Sequence, residues 1–177
     1  MSETRFADTA AELSNGLKSA MRRMPGAVAL ITTRDPATDQ PAGLAASAVI
    51  PVSMEPPSML VAINRASSAH SAIERAQRYC VNLLGTTHTA FVSLFSNSAM
   101  REQRFASDEW RYQDGIPYLP SACSSIFCEI RTTLVHGTHE LFIGDVYDVR
   151  SAGGDGEPAD PLGWLEGTFA QLGRLPI

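Results

Sequence analysis

From Ala10 the apolar residues Leu13, Leu17, Ala20, Met21 and Met24 return at helical spacing until Pro25-Gly26 stops them, which predicts an amphipathic N-terminal helix over about residues 9–24. The pattern then changes to short apolar, β-branched runs. Residues 27–33 read as a buried strand closed by the turn-rich 35–41, and 42–53 read as its hairpin partner. Glu55-Pro56-Pro57 breaks the chain, because proline removes a ladder donor, before another strand at 58–63. Ala69, Ala72, Ile73 and Ala76 fall on one helical face, with His70, Glu74 and Arg75 elsewhere, and strand resumes at 79–84.

Phe91, Leu94 and Phe95 predict a second short helix, after which 96–120 is a polar, turn-rich excursion anchored by Trp110 and Tyr112. Ile126, Cys128, Ile130 and Leu134 alternate with Glu129, Arg131 and Thr133, and residues 140–149 form a partner strand across the turn His136-Gly137-Thr138-His139. A Gly/Asp/Pro-rich loop at 151–161 leads to a final strand over 162–169. Runs of strands with a few helices, rather than strict βαβ alternation, favour an antiparallel barrel with peripheral helices over about 26–172, in a single domain of residues 1–177. No G-x-G-x-x-G follows a strand, which disfavours a doubly wound dinucleotide fold.

Composition narrows the partners. The 177 residues carry a net charge of -5 with no run of Lys or Arg, so nucleic acid and anionic membrane are disfavoured as partners. Charged residues are only 19% of the chain against 44% hydrophobic, a sparse surface charge that points to a homodimer. Cys80, Cys123 and Cys128 make neither an even set nor a C-x-x-C pair, so they read as reduced core residues in a cytoplasmic, soluble, unprocessed protein. His136 and His139 lack a third ligand at convincing spacing, no metal site is expected, and no serine sits in a G-x-S-x-G elbow.

The chemistry concentrates in residues 43–76. The side chains of Gly43-Leu44-Ala45-Ala46-Ser47-Ala48 are nearly all too small to shield the backbone, so peptide groups can reach the edge of a flat ring. In Asn64-Arg65-Ala66-Ser67-Ser68 a cation and two hydroxyls precede a helical pattern, where an anion could sit. Taken singly, Ser67 and Ser68 are also ordinary helix caps, 45–48 could be close strand packing, and His139 could be a solvated turn residue. Joined at this spacing they favour a bound planar, phosphate-bearing cofactor that carries the chemistry itself.

Pro25-Gly26-Ala27-Val28 through Thr33, Gly43-Leu44-Ala45-Ala46-Ser47, Ser53-Met54-Glu55-Pro56-Pro57, Ala62-Ile63-Asn64-Arg65-Ala66-Ser67-Ser68, Tyr79-Cys80-Val81-Asn82-Leu83-Leu84, Gly137-Thr138-His139 and Gly167-Thr168-Phe169 together resemble the short-chain flavin reductase family, most nearly the reductase components of two-component aromatic monooxygenases such as those acting on 4-hydroxyphenylacetate. The resemblance covers about residues 17–172. It implies a mainly β fold with peripheral helices, an antiparallel FMN-binding split β-barrel of Greek-key type, working as a homodimer. It also implies hydride transfer from NADH or NADPH to FMN or FAD, with the reduced flavin passed to a separate monooxygenase.

Carried over by position, Thr32, Ala45, Ala46, Ser47 and Ala48 would face the isoalloxazine and ribityl chain with Ser53 nearby, and Asn64, Ser67 and Ser68 would hold the phosphate end. His139 would lie beside the nicotinamide, with Phe105 and Phe169 near the cofactor. Glu166 and Thr168, flanking Gly167, depart from the family's usual residues there. The alternative is a non-catalytic split-barrel carrier or sensor of flavin or haem.

Overall fold

The computed structural model describes residues 9–151 and 160–173. Helix α1 (Ala10–Met21) opens on a capping box, in which Thr9 Oγ1 accepts from the Glu12 N–H and the Glu12 carboxylate accepts from the Thr9 N–H, both at 3.1 Å. None of its side chains is buried, and Leu13, Leu17 and Met21 stand exposed. The remaining elements are β1 (Gly26–Ala27), β2 (Ala29–Asp35), β3 (Gln40–Ala46), β4 (Val49–Met54), β5 (Pro57–Asn64), α2 (His70–Ala76), β6 (Arg78–Leu83), α3 (Thr89–Ser96), β7 (Arg111–Gln113), β8 (Ile116–Tyr118), β9 (Ser124–His136), β10 (His139–Ser151), β11 (Leu162–Leu165) and β12 (Thr168–Gln171).

Seven strands form one antiparallel sheet in the order β3-β2-β6-β9-β10-β5-β4. Its two edges, β3 and β4, are consecutive in sequence. Residues 42–53, expected as one strand beside β2, bend at Ser47-Ala48: the first half pairs with β2, and the second half pairs with β5, beginning where the Ala62 N–H reaches the Ala48 carbonyl at 3.0 Å. This bend curls the sheet into a split barrel. The strands β9 and β10 pair as expected, with bulges after Ile143 and Val146 that increase the local twist, but the expected half-buried alternation ends at Ile130: residues 131–136 are exposed on both faces and Leu134 is 60% exposed.

Two other expected segments differ in detail. Residues 162–169 are a hairpin rather than one strand: Glu166 (φ 55°) and Gly167 (φ 85°) are both left-handed, the two-residue turn that matches strand twist. The same device, Asp114-Gly115 (φ 51° and 81°), joins β7 to β8 inside the expected excursion at 96–120, which also holds a 3₁₀ segment at Ser98–Gln103. Trp110 is buried there as an anchor, whereas Tyr112 is exposed.

Strand β2 is buried on both faces, and its alternation separates two cores. Ala29 and Ile31 join Val61, Tyr79, Cys128 and Phe142 inside the barrel. Leu30 points the other way, joining Val28, Leu84, Phe95, Trp110 and Leu162 in an outer cluster beneath α3 and β11. Strand β3 lies at the seam of these two cores.

Candidate functional site

Strand β3 is a sheet edge, so the backbone groups on its far side face no neighbouring strand. Along it run connected cavities. One of about 500 Å³ lies between α1 and the β11–β12 hairpin, over Ser47 and Ala48. A second, about 170 Å³, shares Ser47 and Trp164 with it and lies over Ala45 and Ala46 against Val28 and Val92. A third, about 400 Å³, shares Ala45 and Ser96 with the second and runs past Leu44 to Ser67, Ser68, Arg101 and Arg104. A recess of about 60 Å³ closes this end between residues 41–43, Ser68 and Phe105. The result is one trough whose floor, Leu44 to Ala48, spans about 13 Å at strand rise. That is room for a tricyclic ring and a short polar chain.

The floor is Ala45 and Ala46, half-buried, then Ser47 and Ala48, exposed, so a flat ring can lie close to peptide groups. Arg104 anchors the polar end. Its Nη1 donates to the Gly43 carbonyl at 2.9 Å and its Nη2 to the Asn97 carbonyl at 3.1 Å, while Cζ stands 5.5 Å from the Phe95 ring centroid. Burial lowers its pKa, and the like charge of Arg101 lowers it further. Phe105 does not reach over the floor; it packs at 5.2 Å from Phe95 and 5.0 Å from Trp110, holding the segment that carries Arg104, and one side of it lines the end recess.

Ser67 and Ser68 line the polar end, and Asn64 organises them: its Oδ1 accepts from the Ala66 N–H at 2.9 Å and its carbonyl from the Ser67 N–H at 2.8 Å. Thr32, expected to face the ring, lies instead on the outer face of β2 beneath β8 with no exposed surface, donating to the Pro117 carbonyl at 2.6 Å. Ser53 lies away from the trough, its hydroxyl accepting from the Glu55 N–H at 3.0 Å in the β4–β5 turn. His139 is exposed at the β9–β10 turn, in register with Asn64, its Nδ1 3.0 Å from Thr138 Oγ1; it lines none of the trough cavities. Phe169 packs edge-on against Trp164 at 5.3 Å, and it is the Trp164 ring that forms trough wall.

Glu166 departs from the family pattern without disturbing this wall, because its contacts are through the backbone. Its N–H donates to the Arg22 carbonyl at 2.8 Å and its carbonyl accepts from Arg22 Nη2 at 3.0 Å, docking the end of α1 on the hairpin. The reading of the sequence did not assign Arg101, Arg104, Ser96 or Trp164 to the site. Ser98, Arg101 and Arg104, spaced by three, are the signal that could have found the polar end, since a 3₁₀ segment stacks i and i+3 on one face.

Cys80 and Cys128 are buried, and Cys123 is partly buried. Burial pushes the Cys128 thiol up to about 12 and raises that of Cys80 as well, so neither presents a thiolate near neutral pH. Among the described residues no three His, Cys, Asp or Glu side chains come together as a metal site, and no helix is long and apolar enough to cross a membrane.

Comparison with known proteins bears on the trough. Residues 21–173 match the family described as the flavin reductase like domain. The chain is 39% identical over 160 residues to FMN reductase (NADH) RutF 1 of Methylorubrum extorquens, covering 90% of this chain and 77% of that protein. It is 35% identical over 135 residues to the reductase component of the FADH2-dependent resorcinol hydroxylase of a Rhizobium species, covering 76% of this chain and 75% of that one. The solved structure of flavin reductase PheA2 superposes with a TM-score of 0.78 at 26% identity, covering 90% of this chain and 98% of the other.

Proposed function

Because this chain belongs to the flavin reductase like domain family, we propose that it uses a reduced nicotinamide nucleotide to reduce a flavin, FMN or FAD, and hands the reduced flavin to a separate monooxygenase. The observation that carries this reading is the continuous trough, with a floor of small residues and a polar end holding two hydroxyls and a buried guanidinium. A bound flavin supplies the redox chemistry, taking up the hydride that the nicotinamide gives up as NADH becomes NAD⁺. The protein's own work is placement. Ala45 to Ala48 would let a flat ring approach backbone dipoles, with Trp164 as a wall beside it, and the opening above the floor would admit the nicotinamide.

A relative named FMN reductase (NADH) supports NADH as the nucleotide, and one named as the reductase component of a hydroxylase supports an oxygenase partner. The uncovered apolar face of α1 supports a homodimer. Steady-state oxidation of NADH and of NADPH, with and without added FMN or FAD, tests the reading; absence of flavin-dependent turnover with either nucleotide overturns it. The carrier or sensor alternative draws on one observation, the position of His139 outside the trough cavities, and tight flavin retention without nucleotide oxidation would select it.

A further inference from the structure

Three consecutive residues at the β9–β10 turn meet the loop that leads into α2. The Thr138 carbonyl accepts from the Arg65 N–H at 2.9 Å, His139 stands opposite Asn64 in the β10–β5 register, and Glu140 Oε2 accepts from His70 Nε2 at 2.7 Å. The loop is thereby fastened to the turn at both of its ends. Among the described residues no side chain caps the start of α2 at Ala69, so His70 supplies the polar contact between the helix's first residue and the sheet. The pair stands in apolar company. His70 and Glu140 are each 7% exposed; Glu140 lies opposite Ile63 across the ladder, and the imidazole stands edge-on to Phe142 at 5.6 Å, both neighbours belonging to the barrel core. Two apolar side chains would fill such a place at no loss of stability, and often at a gain. What a hydrogen-bonded pair adds is direction, one relative placement of two elements where apolar contact tolerates several.

We propose that His70 and Glu140 are positioning residues that couple the two ligands: by fixing the loop of residues 64–69 against the turn of residues 137–139, they set Ser67, Ser68 and His139 as one unit. A bound flavin then raises the affinity for the nicotinamide nucleotide, and the nucleotide raises the affinity for flavin by the same factor. This rests on the flavin reading above, with Ser67 and Ser68 toward the flavin and His139 toward the nucleotide, and adds how the two places communicate. Among the described residues none of the turn lines a trough cavity, so this part of the coupling runs through the protein and not through a contact shared by both ligands. A ligand that orders the loop orders the turn with it, and the second ligand then meets a site already ordered.

Titration of the purified chain with FMN, followed by flavin fluorescence with and without saturating NAD⁺, which cannot reduce the flavin, gives the coupling factor as a ratio of two Kd values. Direct stacking of the two rings also couples them, so the change on substitution is what decides. His70→Leu combined with Glu140→Leu should lower the factor about fivefold or more, with a denaturation midpoint no lower than that of the wild type. Glu140→Gln, which keeps an acceptor for His70, should leave the factor within about twofold of the wild type. Should the double Leu variant fail to fold, hydrogen exchange of the wild type decides: FMN alone should slow exchange at residues 138–140 as well as at 65–70. An unchanged factor in the double Leu variant, an equal drop in Glu140→Gln, or protection by FMN confined to residues 65–70 overturns the proposal. Coupling lost in the double Leu variant of a protein that oxidises no NADH would keep this device and remove the enzymatic reading; intact turnover with an unchanged factor would do the reverse.

Discussion

On the outer face of the sheet, beneath β8, the side-chain amide of Asn82 donates to Thr32 Oγ1 at 3.1 Å, and the Thr32 hydroxyl donates onward to the Pro117 carbonyl at 2.6 Å. The amide oxygen of Asn82 accepts in turn from the Leu119 N–H and from Ser125 Oγ, so the network ties β2, β6, β8 and β9 together. Thr32→Val leaves the Pro117 carbonyl without its donor and should cost about 1–3 kcal/mol of stability, read by chemical denaturation, with flavin affinity unchanged. A loss of flavin affinity at unchanged stability would return Thr32 to the binding site.

Gly43 sits where β3 presses on both cores. An added Cβ meets the Ile31 carbonyl oxygen and Phe95 at under 3 Å, so Gly43→Ala should destabilise the protein by about 1–3 kcal/mol and weaken FMN binding as the wall shifts. Gly16, in α1 with nothing within 4 Å of a Cβ, is the control: Gly16→Ala should stabilise by about 0.5–1 kcal/mol. Thermal melts of the two variants moving in the same direction would contradict this.

His139→Ala removes an exposed ring whose one side-chain hydrogen bond among the described residues is with Thr138, so the fold should be untouched. Under the proposed function it should raise KM for NADH several-fold while kcat and flavin affinity change little, the pattern of lost binding common to ground and transition states. An equal loss of flavin binding would assign the residue to the flavin end beside Asn64.

Leu13 on α1 is 66% exposed and lines no part of the trough. If α1 is covered by a second copy, Leu13→Glu should shift the protein to monomers in sedimentation-velocity runs, with its circular dichroism unchanged. A variant that sediments as the wild type does would remove α1 from the interface.

Asp35 accepts two hydrogen bonds from Arg75, at 3.0 and 2.7 Å, and one from the Ala37 N–H. These hold its carboxyl below the usual range, the Arg75 contact foremost. A depressed native pKa contributes stability that is present above the unfolded value of 3.8 and is lost as pH falls through the native one. The denaturation midpoint should therefore fall as pH drops below about 4, and Asp35→Asn should flatten part of that slope. An identical acid profile in the variant would exclude the pair as a source.

Most of the strand plan is legible in the sequence because short apolar runs closed by turn residues mark the strands, although Leu134, read as the last inward position of β9, is exposed. The bend at Ser47-Ala48 is not, since small residues pack equally well in a straight strand or a corner. Nor is the turn at Glu166-Gly167, because glutamate rarely adopts a left-handed backbone and carries no hairpin signal. In the site, Ala45 to Ala48, Ser67 and Ser68 are legible from local spacing. Thr32 was misleading because the face a β2 side chain takes depends on which of two cores lies behind it. Arg104 was hidden because its burial comes from an aromatic cluster of Phe95, Phe105 and Trp110 spread over sixteen positions of the chain.

The corner at Ser47-Ala48 leaves the molecule little freedom to change its ligand from below. The residues that floor the trough also bring the barrel's two edges together, so substituting them for specificity would compete with closure of the sheet. Diversification is thereby directed to the banks: residues 96–104 on one side and the β11–β12 hairpin on the other, neither of which pairs with the seven-stranded sheet. A directed-evolution library confined to those banks should retain folded members at a far higher frequency than one confined to the floor.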